Sequence, residues 1–91
     1  MNRELDARIA EEVMGHINFY GGEYIGPHYS TRIQDAWLVV EKLAKRGGVN
    51  IHLHENNMVQ VWVSSEIPAH APTAPLAICL AALAVVERRG R

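Results

Sequence analysis

Residues 49–63 read VNIHLHENNMVQVWV, and the alternation in this stretch decides the fold class. Val49, Ile51 and Leu53 fall on one side of an extended chain and Asn50, His52 and His54 on the other. Beyond the asparagines, Val59, Val61 and Val63 alternate with Met58, Gln60 and Trp62. A period of two with one apolar side is the mark of a half-buried strand, so the stretch is an antiparallel hairpin. Its register follows from matching the faces. A two-residue turn at Asn56-Asn57 sets Leu53 opposite Gln60 and Ile51 opposite Trp62, which mixes apolar with polar. A three-residue loop pairs Leu53 with Val59 and Ile51 with Val61. The three-residue loop is predicted, with Asn57 in the left-handed backbone region.

On either side of the hairpin the period changes to that of a helix. Upstream, STRIQDAWLVVEKLAKRGG (30–48) carries Ile33, Ala36, Trp37, Val40, Leu43 and Ala44 as one stripe. Thr31 and Gln34 have capping-box spacing, Lys45 and Arg46 suit the negative end of the helix, and Gly47 stops it. Trp37 is expected in the core. Residues 2–14 place Leu5, Ile9 and Val13 on one face with charges elsewhere, an amphipathic helix that Asn2 can cap and Gly15 can end. Between these two helices, HINFYGGEYIGPHY (16–29) mixes aromatic and β-branched residues around Gly21-Gly22 and fits either a short hairpin or an ordered loop. Downstream, SSEIPAHAP (64–72) has two prolines and no period, and is expected to be a loop.

The last helix poses a packing problem. Thr73 is its expected N-cap and Pro75 sits in its first turn, where a missing N–H costs nothing. Leu76, Cys79, Leu80, Leu83 and Val86 or Glu87 make a core stripe, but Ile78, Ala81, Ala82 and Val85 leave no polar face before Glu87. A helix apolar all round is buried all round. The rest of so short a chain looks too small to cover it, so part of Ile78, Ala81, Ala82 and Val85 is expected to pack on a second copy, as a homodimer or higher oligomer.

Composition sets outer limits. Ninety-one residues form one domain, residues 1–91, and a chain of this length buries only about 60 to 65% of its unfolded surface. With 9 Lys and Arg against 10 Asp and Glu, the net charge of −1 supplies no strong basic field, and nucleic acid is not expected as a partner. The single Cys79 lies in an apolar run, so neither a disulfide framework nor a site of paired cysteines arises, and a reducing compartment fits. The charged N-terminus does not have the form of a signal peptide, and the apolar run near the C-terminus falls short of the roughly 18 to 20 residues that span a bilayer. No membrane association is expected, and the cytoplasm of a bacterial host is the expected location.

ELDARIAEEVMG (4–15), PHYSTRIQDAWLVVEKL (27–43), the alternating hairpin and TAPLAICLAALAVV (73–86) together resemble the phage ABA sandwich domain family, small proteins of bacteriophages and prophages in Bacillus-like hosts. The resemblance spans nearly the whole chain. It implies an α+β fold in which an antiparallel sheet is flanked by three helices as an α/β/α sandwich, a layer of which oligomerisation could complete. It implies no settled activity. Relatives tend to carry an acidic residue after Tyr-Ser-Thr, where this chain has Arg32.

The chemistry-bearing residues fall into two groups. Gly26, His28, Tyr29, Ser30, Thr31 and Arg32 join a glycine-containing loop to a helix start, where free N–H groups, hydroxyls, an imidazole and a cation suit a phosphate. The plainer alternative is that Ser30 and Thr31 cap the helix, Gly26-Pro27 turns the chain and Tyr29 packs. His52 and His54, at i and i+2 on one strand face with Glu55 following, could hold a metal, but without further ligands at defined spacing ordinary strand-face histidines are preferred. Trp62 on the same face could stack a base, but a tryptophan that bridges sheet and helix is the preferred reading. No serine or cysteine has the context of an activated nucleophile, so no catalytic residue, cofactor or enzymatic activity is expected. The expected function is that of a phage-encoded binding protein, a sponge that sequesters a nucleotide-derived immune signal between subunits, with Tyr29 or Trp62 on the base. The alternatives are a protein-binding inhibitor or regulator of a host protein and, ranked last, a metal-dependent enzyme built on His52, His54 and Glu55.

Overall fold

The computed structural model describes residues 3–15, 19–20, 23–24, 26–45, 47–63 and 68–89. In chain order these form α1 (Arg3–Arg8), continued without a break as a π-helix (Ile9–Met14), then β1 (Phe19–Tyr20), β2 (Glu23–Tyr24), α2 (Ile33–Ala44), β3 (Val49–Leu53), β4 (Val59–Val63), β5 (Ala69–Ala71) and α3 (Ala74–Arg89). The fold is α+β, with three helices and a three-stranded antiparallel sheet in the order β3-β4-β5; β1 and β2 form a separate two-stranded ribbon. That ribbon resolves the segment left open in the sequence in favour of a hairpin, while its central Gly21-Gly22 lies outside the described residues, as do Asn2, Arg46 and the Ser64-Ser65 pair.

The central hairpin has the predicted register, with Leu53 opposite Val59, Ile51 opposite Val61 and Val49 opposite Val63. The His54 N–H donates to the Met58 carbonyl and the Asn57 N–H to the His54 carbonyl, which encloses three residues in the loop, and Asn57 adopts a φ of 65°. Asparagine tolerates this left-handed conformation better than most residues. The expected loop at 64–72 is in part a strand. Ala69–Ala71 pairs with β4, Val61 opposite Ala69 and Val59 opposite Ala71. Flanking Pro68 and Pro72 hid it, and proline is compatible with the ends of an edge strand.

α3 lies in the middle of the molecule. One side rests on Val59, Val61, Val63 and Ala71 of the sheet, and the other side is covered by α2 and the π-helix after α1. Ile78, Ala81, Ala82 and Val85, expected at a self-interface, are therefore enclosed by their own chain, with at most 3% of their surface exposed. A chain of this length covers the apolar helix after all, because three layers bury both sides of the middle one. Leu80, expected in the core, is 38% exposed. Its start is as predicted: the Leu76 N–H donates to Thr73 Oγ1 at 3.4 Å and the Ala77 N–H to the Thr73 carbonyl, with Pro75 in the first turn.

α2 buries Ala36, Val39, Val40 and Leu43, a stripe turned from the expected one. Trp37 and Ile33 are each 52% exposed and Ala44 is exposed as well, so Trp37 is not a core residue. Small and branched side chains let α2 approach the alanine-rich α3 closely, and an indole has no place in such a seam. The π-helix after α1 buries Ile9, Ala10 and Val13 and ends at Gly15, whose φ of 76° suits a residue without Cβ. Arg8 ties α1 to the end of α3 through an ion pair with Glu87 and pairs with Glu12 one turn on in its own helix.

Candidate functional site

The loop before α2 is built around carboxylates of its own chain. Asp6, on the buried face of α1, accepts the Ser30 N–H at 2.8 Å, and Asp35 accepts the His28 N–H at 2.8 Å. The N–H groups of Thr31 and Arg32 both donate to the His28 carbonyl. Four donors that could have met an external anion are thus engaged internally, and a phosphate here would face the Asp6 and Asp35 charges. Tyr29 and Ser30 are 1% and 2% exposed. Burial, with Asp35 and Asp6 nearby, pushes the Tyr29 phenol up from its ordinary value. Arg32 occupies the N-cap position in an extended conformation, and no side chain caps this helix end, so the Thr31–Gln34 capping box does not form. Asp6 and Asp35, the residues that organise this loop, escaped the sequence reading. The available signal was that Asp6 shares the stripe of Ile9, Ala10 and Val13, where a carboxylate must find donors.

His28 lies between these groups, its Nδ1 3.9 Å from Asp6 Oδ2. Ser30 Oγ is buried with no hydrogen-bond partner, so no charge-relay arrangement links the three. Cys79 is equally inert: burial, reinforced by Asp6, pushes its thiol up to about 12.

The other candidates converge on the sheet surface that faces away from the helices. Because directly paired residues share a face, the register sets Asn50 beside Trp62 and His52, Gln60 and His70 in one row across all three strands, with His54 beside Met58. His52 and His54 stack at 4.6 Å between ring centroids, 10° from parallel, and His52 lies 6.4 Å from Trp62 at 42°. His54 Nε2 is 2.7 Å from Gln60 Oε1. Asn50, His52, His54 and His70 are exposed, and Gln60 and Trp62 are half-buried. At the edge formed by the end of β3 and its loop, an open cavity of about 650 Å³ is lined by His52, Leu53, His54, Glu55 and Asn56. Among the described residues no three His, Cys, Asp or Glu side chains gather as metal ligands. His52, His54 and Trp62 are therefore brought together, whereas Gly26 to Arg32 belong to the helical side; Trp62 and Tyr29 lie on different sides of the sheet. His70 and Gln60 join the site only through the pairing of β5, which the sequence did not disclose.

The comparisons place this architecture. The model of the phage ABA sandwich domain matches residues 7–83. A phage protein from Bacillus cereus ATCC 14579, known from a crystal structure, is 33% identical and superposes with a TM-score of 0.69 over 92% of this chain and 90% of its own. No curated protein matches the sequence. None of the described helices is long and apolar enough to cross a membrane. With the fold, the matched span and the crystal structure in agreement, the chain belongs to the phage ABA sandwich domain family.

Proposed function

We propose that this small phage protein acts by binding rather than by catalysis, and that its recognition surface is the open sheet face of His52, His54, Gln60, Trp62 and His70. The observation that carries the reading is the group of three aromatic rings, the stacked His52 and His54 with Trp62 beside them, left open on the sheet rather than packed under a helix. Stacking on such rings selects planar groups, and a nucleobase is the common one. Gln60 offers donors and an acceptor to a base edge, and the imidazole N–H groups can meet phosphate oxygens. In a phage this surface suits a stoichiometric sponge for a nucleotide-derived immune signal, a cyclic nucleotide or an ADP-ribose derivative, which requires no catalytic group. Calorimetry with cyclic di- and trinucleotides and ADP-ribose isomers tests it. One of them binds the wild type, and Trp62→Ala weakens that binding roughly ten- to a hundredfold, as expected for losing about 1 to 3 kcal/mol of stacking. Arg32→Ala binds like the wild type. The reading is lost if no member of the panel binds, or if Trp62→Ala binds equally well.

A second reading rests on a different observation. Ile33 and Trp37 are one turn apart on the outside of α2 and half exposed, with Leu38 beside them. An unpaired apolar helix face suits a host protein that the phage product inhibits. Co-purification of a host protein that Trp37→Ala abolishes and Trp62→Ala spares would favour it.

A further inference from the structure

β3 is the first strand of the sheet, and among the described residues no strand pairs with its outer side. Its hydrogen-bond phase follows from the loop. The His54 N–H donates to Met58, so His54, His52 and Asn50 direct their backbone groups inward to β4. Val49, Ile51 and Leu53 consequently turn their N–H and C=O groups outward. The same three residues carry the apolar side chains: Leu53 is 71% exposed and Ile51 is 39% exposed, on the face that the helices cover farther in. From Gly47 through His54 the strand has no Lys, Arg, Asp, Glu or Pro, the residues with which edge strands are ordinarily guarded.

We infer that β3 is the dimer interface of this protein, pairing antiparallel with β3 of a second copy about a twofold axis at Ile51. In this register Ile51 opposes Ile51 and Val49 opposes Leu53. All three residues have outward backbone groups, so each opposed pair exchanges two hydrogen bonds. The faces match as well. Val49, Ile51 and Leu53 of both copies meet on the helix side, and Asn50 opposes His52 on the open side, with no like charges opposed. The two sheets become one of six strands, and the His52, His54 and Trp62 surfaces of both copies lie on one continuous face. The interface stands independently of what that face binds.

The test is the mass of the intact chain in solution, with variants at the edge. At tens of micromolar, light scattering gives twice 10.2 kDa for the wild type. Leu53→Lys gives the monomer with an unchanged circular dichroism spectrum. Under mild oxidation Ile51→Cys forms a covalent dimer, because residues opposed on a twofold in a hydrogen-bonded pair have Cα atoms about 5.5 Å apart. Asn50→Cys does not, since its own copy lies beyond disulfide reach in this register. A monomeric wild type overturns the inference. So does a dimer that survives Leu53→Lys, or one in which Ile51→Cys fails to cross-link. Nucleotide binding is a separate readout: its failure with the dimer intact overturns only the proposed ligand.

Discussion

At the level of single residues, Asp6 is the side chain on which the most local structure depends. It enters a helix stripe that is otherwise apolar because its carboxylate accepts the buried Ser30 N–H and so fastens the loop before α2 to α1. Asp6→Ala leaves that N–H without an acceptor and should cost about 1 to 3 kcal/mol in urea unfolding, with Asp6→Asn retaining part of it. The neighbouring hydroxyl behaves in the opposite way. Ser30 Oγ is buried without a partner, so Ser30→Ala should be neutral or stabilising by up to about 1 kcal/mol, whereas a capping serine would lose stability. Cys79 supplies a pH dependence. Its thiol titrates higher in the folded chain, about 12, than in the unfolded one, about 8.5. The native state then holds the proton while the unfolded state releases it, so this contribution is complete below about pH 8.5 and is lost as pH rises toward the folded value. Unfolding free energy should fall from pH 8 to pH 10, and the native thiol should resist a disulfide reagent that reacts with it in urea.

At the level of elements, α3 is distinguished by having two buried sides. Ala82→Glu places a charge between the sheet and the helix layer and should abolish the folded state, at a cost above about 4 kcal/mol, whereas Leu80→Glu at the exposed position of the same helix should fold. Thermal unfolding by circular dichroism separates the two, and the contrast differs from that of an α3 self-interface, in which Ala82→Glu would yield a folded monomer. The hairpin loop has its own constraint. At the φ of 65°, Asn57→Gly should be tolerated and Asn57→Val should cost about 1 to 2 kcal/mol. Arg8, an exposed clasp between α1 and α3, should contribute little, since surface ion pairs are well screened.

Across the whole molecule, the stacking order places α3 and β4 where both neighbours shield them, while β3 and the β1-β2 ribbon lie at the margins. Amide exchange should be slowest in α3 and β4 and fastest in β1 and β2. What the sequence determined by itself is whatever depends on neighbours along the chain. The alternation at 49–63 settled the hairpin, its register and the conformation of Asn57, because a one-residue slip would turn every valine to the wrong face. The hydroxyl of Thr73 and the proline at 75 settled the start of α3. The tertiary structure alone decided which part of an apolar surface is buried. Trp37 and Val39 are both compatible with a core helix, and only the close approach of α3 selects the smaller one. The same holds for the Ser30 N–H, which has no acceptor until α1 brings Asp6 to it, and for His70, which comes beside Gln60 only because β5 pairs with β4. Local periodicity records which faces are apolar, but the partner of each face is a contact between distant segments, set by the volume available when the layers close.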